Sequence, residues 1–233
     1  MRVFEERTLS SEVKKEIIQA AIEAPTAGAM MLYTILDITD PVLKEKLATA
    51  CDNQPFIAKA PLVLVFLADY QRWYDTFSFM DCNPREPGVG DIHLATVDAV
   101  VAAQNTVVAA ESLGLGSCYI GDISENEETI RTLLCLPPYV IPAAMVVYGY
   151  PAESQKARNK PARFDEKYLV FENTYHHLSL KEHEEMHEKR NLKSGHADKN
   201  VRGDIEAFCT RKYMSAFSLE MNRSMAEYLK NFK

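Results

Sequence analysis

The apolar positions near the start of the chain predict a helix. Ser10 or Ser11 can cap its first turn, and Pro25 marks its end. Between these limits, apolar residues recur at helical spacing at Val13, Ile17, Ala20, Ala21 and Ala24. One face of this helix is therefore expected to lie against the core.

Strand and helix patterns then alternate. Residues 32–38 predict a strand, and Pro41 stands where a short helix can begin, because proline is favoured at the first helical position. Residues 61–69, PLVLVFLAD, form a continuous apolar run of the length of a strand buried on both faces. The first third of the chain thus predicts a mixed α and β core.

The middle of the chain predicts a surface loop, a long helix and a final strand. Turn-forming residues dominate 81–91, and a long apolar helix is expected from about 92 to 113. Gly114 and Gly116 are expected to end that helix, and Ser124 to cap a short helix after it. Residues 143–148 complete the pattern as an apolar strand.

Beyond Pro151 the composition becomes polar and charged, and only residues 180–190 and 205–229 show amphipathic helical patterns. Such a tail usually packs on its own body or on a partner subunit. We therefore predict a core over residues 1–150 and a carboxy-terminal extension over 151–233.

Charge and composition narrow the classes of function. The formal net charge is −7 and the isoelectric point is near 5.4, which argues against broad binding to nucleic acid or to an anionic membrane. The most apolar long stretch, 94–110, is interrupted by Asp98, Gln104 and Asn105, so it predicts a buried helix rather than a membrane span. The first residues contain no apolar secretory segment, and the five cysteines include no CxxC pair. A cytoplasmic protein with reduced thiols is expected.

One short motif suggests a metal. Residues 183–187, HEEMH, match the H-E-x-x-H pattern that places two imidazoles on one helical face beside a glutamate. The surrounding sequence, KEHEEMHEKR, is charged on every face, whereas a catalytic zinc helix is buried on one side. A solvated helix explains the motif better, and no metal site is predicted.

Three other features allow a bound cofactor, each beside a simpler explanation. The spacing of Gly114, Gly116 and Gly121 differs from that of a dinucleotide-binding motif, and a helix end followed by a turn explains these glycines. Gly121 has no side chain, however, so its backbone N–H is accessible to a planar molecule. Lys160 and Arg163 can clamp a phosphate or can simply be solvated. The amide of Gln54 can bind a ring edge or cap its own loop.

Taken together, these segments resemble the nitroreductase family, particularly its NADPH-dependent nitroreductase and flavin reductase branch. The resemblance covers nearly the whole chain. It runs through RVFEERTLSSEVKKEIIQAAIEAPTAG, ITDPVLKEKL, CDNQPFIAKAPLVLVFLADY, AAQNTVVAAESLGLGSCYIGDISEN, LPPYVIPAAMVVYGYPAE, NKPARF and VFENTY. The order and spacing of so many segments make chance similarity improbable.

The resemblance implies an α+β fold with a central, mainly antiparallel sheet flanked by helices and an extended carboxy-terminal helical arm. It also implies a homodimer with FMN at the subunit interface and NAD(P)H as electron donor, with NADPH favoured. One pocket would serve the donor and a small-molecule acceptor alternately, in a ping-pong reaction. Arg202, Arg211 and Lys212 could attract the 2′-phosphate of NADPH, or they could be ordinary exposed charges.

The site residues carry over by position. Arg2 matches the last arginine of the family's R-x-S-x-R phosphate motif, and Lys160 and Arg163 match the basic pair that neutralises the same phosphate. The resemblance places Gln54 at the pyrimidine edge of the flavin. The resemblance places Thr26, Ala27 and Gly28 beside the ribityl chain and the ring. It places Tyr119, Ile120 and Gly121 along the ring, where the Gly121 N–H would be directed to flavin N5.

This chain departs from the family pattern in two places. It starts at Met1 and Arg2, so the first arginine and the serine of R-x-S-x-R have no counterparts; either the start is shortened or fewer groups hold the phosphate. Ala29 stands where many relatives carry asparagine, which removes a polar contact from that loop.

The resulting hypothesis is an FMN-dependent NAD(P)H oxidoreductase that reduces nitroaromatics, quinones or free flavin. No side chain is nominated as a catalytic acid or base, because hydride transfer needs none. The alternative is a flavin-binding family member that is catalytically degenerate or acts as a sensor.

Overall fold

The computed structural model describes residues 1–196 and 200–233. Its four strands are β1 (Tyr33–Asp37), β2 (Leu62–Asp69), β3 (Gly116–Ile120) and β4 (Val140–Gly149). Its helices are α1 (Ser11–Ile22), α2 (Pro41–Ala50), α3 (Phe56–Lys59), α4 (Gln71–Phe79), α5 (Val89–Ser112), α6 (Glu127–Leu134), α7 (Glu153–Lys156), α8 (Leu180–Lys193), α9 (Val201–Phe208) and α10 (Ala216–Leu229).

The strands form one sheet in the order β1-β2-β4-β3, and each neighbouring pair is antiparallel. The pairing between β2 and β4 shifts register between Phe66 and Leu67, as at a β-bulge. The predicted α+β class with a mainly antiparallel sheet and helices after the core is confirmed.

Both faces of the sheet are covered, which explains why β2 is apolar at every position. Along β2, Val63, Val65 and Leu67 enter one hydrophobic cluster, while Leu62, Leu64 and Phe66 enter another. The first cluster includes side chains from α2, α3, α6 and α10, and the second includes side chains from α1 and α5. Alternate residues of one strand thus bury their side chains on opposite faces.

Helix α5 is the central helix of the core. By length and composition alone it could cross a membrane, but it packs against α1, β2 and β4, and its buried positions include a series of alanines. Small side chains allow neighbouring elements to approach closely. The prediction of a buried helix for residues 94–110 is therefore correct for one face only, because Leu94, Val97 and Val100 are exposed.

The local signals near the amino terminus are also confirmed. Ser10 caps α1, since its hydroxyl accepts a hydrogen bond from the backbone N–H of Val13, and Pro41 is the first residue of α2. Gly114 adopts a positive φ of 76° just after α5, as expected for a glycine that ends a helix.

The secondary structure differs from the predictions in five respects. Helix α4 and strand β3 were missed, so Gly116 lies in a strand rather than at a helix end. Ser124 does not cap α6; its hydroxyl donates to the carbonyl of Pro142, and the residue that precedes α6 is Asn126. The predicted loop ends earlier because α5 begins at Val89, and the predicted helix over 205–229 is divided into α9, a π-helical turn and α10.

The chain divides into two compact units. The first unit contains Met1–Ala157 and Glu220–Lys233, and the second contains Arg158–Leu219. The sheet lies entirely in the first unit. The division at residue 150 into a core and an extension that packs on a partner stays a prediction.

Candidate functional site

The amino-terminal segment lies along the edge of the sheet in the first unit. The ammonium of Met1 donates to the carbonyl of Ser117 in β3 at 2.7 Å. The backbone N–H of Arg2 donates to Oε1 of Gln155 at 3.2 Å, and its guanidinium lies 5.3 Å from the ring centroid of Phe56. Arg2 is exposed, so its charge is accessible at this edge.

Gln54 is held in the turn before α3. Its backbone N–H donates to the carbonyl of Ala48 at 2.9 Å, and its side-chain Nε2 donates to the carbonyl of Cys51 at 3.0 Å. The same Nε2 donates to Oδ2 of Asp122 at 2.9 Å. The amide therefore connects this turn to the residue that follows Gly121.

Tyr119, Ile120 and Gly121 form the end of β3 and the start of the next turn. Ile120 pairs with Met145 of β4 and is buried, whereas Tyr119 is 39 % exposed. Partial burial raises the pKa of Tyr119 to about 12, so the phenol is neutral at physiological pH. Gly121 is exposed, and a methyl group placed on its Cα would meet nothing within 4 Å. A planar molecule can therefore approach this backbone closely.

The loop containing Thr26, Ala27 and Gly28 is anchored by the buried carboxylate of Asp98 on α5. Thr26 donates its hydroxyl to Oδ2 of Asp98, and the N–H of Ala27 donates to Oδ1 at 3.0 Å. The N–H of Leu32 donates to Oδ2 at 3.1 Å. Gly28 has a positive φ of 56°, which the turn requires. The hydroxyl of Thr26 is thus engaged within the protein, and Asp98 sets the shape of the loop.

Sequence reasoning noted Asp98 only as an interruption of an apolar helix. An acidic residue inside an otherwise apolar helical face was the available signal, because a buried carboxylate requires donors. Neither Asp122 nor Glu125 was singled out, although they lie one and four positions after Gly121 in the chain.

The predicted basic pair lies in the second unit. Lys160 and Arg163 are both exposed, and Arg163 donates from Nη1 to the carbonyl of Pro161 at 3.0 Å. Within residues 1–196 and 200–233, neither side chain forms an ion pair. Both cations are available to an anionic ligand.

The first unit brings some of the predicted residues together. Arg2 lies over Phe56, two residues after Gln54, and Gln54 is bonded to the residue after Gly121. Among the described residues, no hydrogen bond joins the loop at Thr26–Gly28 to Gln54 or to Asp122.

Carboxylates surround the Gln54 region. Glu125 is 3 % exposed, and burial together with the charges of Asp52, Asp122 and Glu220 raises its pKa to about 7. Burial and the charges of Asp122, Glu125 and Asp52 raise the pKa of the Cys51 thiol, so it stays protonated. This part of the first unit is strongly acidic.

The HEEMH motif lies on α8 in the second unit. His183 is exposed, whereas the ring of His187 packs edge-on against Phe164 at 5.2 Å between centroids. Burial and the charges of Arg190 and His183 lower the pKa of His187. These contacts are those of a packed helix surface: α8 buries Met186 and part of His187, so it is not solvated on every face as the sequence suggested.

A groove of about 1180 Å³ lies between α8 and α9 in the second unit, lined in part by His183, His187, Asn191 and Ile205. None of the residues predicted to bind FMN lines it, whereas Arg202, which was considered for the 2′-phosphate of NADPH, does.

The chemistry available around Gln54 and Gly121 suits the face and edge of a flat, polar ring. It provides an accessible backbone next to a strand end, an amide in a fixed orientation, and a neutral phenol. Arg2, which is exposed in the same unit, provides a cation of the kind that a phosphate requires. The residues present fit a flavin mononucleotide.

Comparisons with known proteins identify the family of this chain. The model of the Nitroreductase family matches residues 1–150. An "NADPH-dependent oxidoreductase" of Staphylococcus aureus strain USA300 is 29 % identical over 179 residues, which cover 76 % of this chain and 68 % of that protein.

Solved structures extend the similarity to the whole chain. NfrA2 of B. megaterium is 28 % identical, with a TM-score of 0.82, over 100 % of this chain and 94 % of that one. The NADPH:FMN oxidoreductase of Vibrio harveyi, in complex with NAD+, is 26 % identical, with a TM-score of 0.73, over 91 % of this chain and 93 % of that one. Because the family model covers well over half of the sequence and the fold agrees throughout, the chain belongs to the nitroreductase family.

Proposed function

We propose that this protein is an FMN-dependent NAD(P)H oxidoreductase that reduces small electron-poor molecules such as nitroaromatics, quinones or free flavin. Family membership supports flavin-dependent oxidoreduction with a nicotinamide donor. The observation that carries the proposal for this chain is the open backbone at Gly121 beside the fixed amide of Gln54.

Each predicted residue has a role in this proposal. Arg2, Lys160 and Arg163 neutralise the phosphate of FMN, and the Thr26–Gly28 loop lies beside its ribityl chain. Gln54 contacts the pyrimidine edge, while Tyr119, Ile120 and Gly121 follow the ring.

Bound FMN supplies the hydride chemistry, accepting two electrons from NAD(P)H and passing them to the acceptor. The protein's own groups position the reactants and tune their electrostatics. The Gly121 N–H and the Gln54 amide orient the ring, and buried Ile120 holds the strand end in place. Tyr119 is neutral and adds no charge beside the ring.

The proposal includes a homodimer in the cytoplasm. Within one chain the loop at Thr26–Gly28 and the Gln54 region are not joined by hydrogen bonds among the described residues. A site shared between two subunits would unite one copy's loop with its partner's Gln54 region.

NADPH is the proposed donor, supported by the names of the relatives. Of the basic residues considered for its 2′-phosphate, Arg202 is already paired with Glu206, with Nε 3.2 Å from Oε1. Arg211 and Lys212 lie near aromatic rings, over Phe208 and Phe217. Comparing kcat/KM for NADPH and NADH measures the preference directly.

The function is tested with Gly121→Ala. A methyl group meets no protein atom there and the backbone φ is not positive, so the change in stability should stay below about 1 kcal/mol. The same methyl group would occupy the space needed for close approach of the ring. We expect FMN affinity and FMN-dependent NADPH oxidation to fall at least tenfold.

Gly90→Ala is the matched control, since a methyl group at Gly90 in α5 also meets nothing within 4 Å. It should leave FMN binding unchanged. Wild-type protein that neither binds FMN nor oxidises NAD(P)H would refute the proposal. Tight binding without turnover would instead support the degenerate or sensor alternative.

A further inference from the structure

Three carboxylates converge beside Gln54, from two distant segments of the first unit. Asp52 lies in the turn after α2, and Asp122 and Glu125 lie in the turn after β3. One oxygen from each carboxylate lies within 4.8 Å of the other two. We call these three residues the carboxylate triad.

The segments that carry the triad are fixed by hydrogen bonds. Gln54 donates to Asp122 at 2.9 Å, and Nδ2 of Asn126 donates to the carbonyl of Ala50 at 2.9 Å. The backbone N–H of Asn126 donates to Oε1 of Glu220 at 3.2 Å. The two turns are therefore linked on both sides of the triad.

Glu125 is the unusual member of the triad. It is 97 % buried, and among the described residues its Oε1 has no hydrogen-bond partner. A buried carboxylate oxygen without a donor is costly, because burial removes its hydration without replacing it. Asp122 lies within hydrogen-bonding reach of the Glu125 carboxyl group, but when both are ionised both are acceptors, so neither satisfies the other without a proton.

The surrounding charges increase this cost. The oxygens of Asp52 and Asp122 lie within 4.8 Å of an oxygen of Glu125, so their negative charges face it at close range. A group of like charges at this spacing is stabilised either by a proton or by a cation.

We propose that Asp52, Asp122 and Glu125 bind a hard divalent cation, with Ca²⁺ as the ion of best fit. Ca²⁺ binds oxygen ligands at about 2.3–2.6 Å, so ligands on opposite sides of one ion stand up to about 5 Å apart. The triad lies within that span. Its ligands are all oxygens, a set that favours Ca²⁺, Mg²⁺ or Mn²⁺ over Zn²⁺ or Cu²⁺.

Ion binding would satisfy the unpaired oxygen of Glu125 and reduce the repulsion within the triad. Asp52 is exposed, so the ion can enter from solvent and complete its coordination with water. The neighbouring Gln54 would then be oriented by a carboxylate that is itself bound to the ion.

The test uses full-length protein freed of flavin and treated with a chelator, so its result does not depend on the proposed oxidoreductase activity. Calcium chloride is titrated at pH 8 while binding is followed by isothermal titration calorimetry and melting temperature. We expect one Ca²⁺ per chain. At ten times the dissociation constant, the melting temperature should rise by on the order of 3–5 °C.

Glu125→Gln should weaken Ca²⁺ binding at least tenfold. Asp52→Asn should do the same, and because Asp52 is exposed this second variant should fold normally. Glu45→Gln is the matched control, since it removes one exposed negative charge from the preceding helix α2. That variant should bind Ca²⁺ as the wild type does.

Three results would overturn the proposal. The first is no saturable Ca²⁺ binding by wild-type protein up to about 10 mM. The second is unchanged binding in both triad variants. The third is an equal loss in Glu45→Gln, which would indicate a general effect of surface charge. In each case the triad would be stabilised by a shared proton instead.

Discussion

Gln54 donates from Nε2 to Oδ2 of Asp122 at 2.9 Å, across 68 positions of sequence. The same nitrogen also donates to the carbonyl of Cys51. Because the amide nitrogen is engaged within the protein, recognition of a ligand by Gln54 would use its carbonyl oxygen, which accepts hydrogen bonds. The ring edge in contact with Gln54 is therefore expected to present an N–H.

Replacing Gln54 with methionine tests this role. The variant keeps a similar side-chain length but loses both hydrogen bonds and the acceptor. We expect a loss of about 1–2 kcal/mol in the free energy of unfolding, measured with urea, and at least tenfold weaker FMN binding. Gln19→Met, at an exposed position of α1, should change neither quantity appreciably. Normal FMN affinity in Gln54→Met would contradict the assigned contact.

Asp98→Ala tests the anchor of the Thr26–Gly28 loop. Removing the carboxylate leaves the donors of Thr26, Ala27 and Leu32 without their acceptor. Because these groups are at least partly buried, we expect a loss of about 2–4 kcal/mol in the free energy of unfolding. Glu111→Ala changes an exposed position of the same helix, and its free energy of unfolding should stay within about 0.5 kcal/mol of the wild-type value. Equal stabilities for the two variants would show that Asp98 is not an anchor.

Glu125→Gln should stabilise the metal-free protein in a pH-dependent way. The pKa of Glu125 is raised from 4.5 to about 7 by burial and by the charges of Asp52, Asp122 and Glu220. The protonated carboxyl group of Glu125 therefore makes its full contribution to the free energy of unfolding below pH 4.5, and this contribution is lost as the pH rises through about 7. Glutamine stays neutral throughout this range.

The free energy of unfolding of Glu125→Gln minus that of wild type should increase by about 2 kcal/mol between pH 5.5 and pH 8.5. Urea unfolding with a chelator present measures this difference at each pH. A difference independent of pH would mean that Glu125 does not titrate in this range. The Glu45→Gln variant should show no such trend.

Lys160→Ala combined with Arg163→Ala tests the phosphate contacts. Each lost charge-assisted contact should cost about 1.5–3 kcal/mol of FMN binding energy, or one to two decades in affinity. Binding should also become less sensitive to salt, because fewer charges remain to be screened. Arg158→Ala removes a neighbouring exposed cation and should have little effect. Unchanged affinity in the double variant would remove this pair from the site.

Local features of the structure were predictable from the sequence. The cap at Ser10, the proline that begins α2 and the buried strand β2 each depend on residues close together in the chain. Strand β3 was missed because Gly114 and Gly116 resemble a helix end. Its conformation depends on pairing with residues of β4 that lie 25–33 positions away.

The candidate site was only partly accessible from sequence. Gln54, Gly121 and the basic pair came from the order of segments that this chain shares with a family, and their roles as cofactor contacts remain predictions. Asp98 and Glu125 gave no comparable signal. Their importance comes from burial and from the groups around them, which sequence spacing does not report.

By itself, the sequence determined the positions of most helices, the apolar core strands and the family to which the chain is similar. Periodicity and capping act over a few residues, so they can be read directly. Tertiary structure alone decided that Asp98 would hold the Thr26 loop and that Asp52 would meet Asp122 and Glu125. Those contacts join positions about 70 residues apart, and they form only when the sheet order and the packed helices bring the turns together.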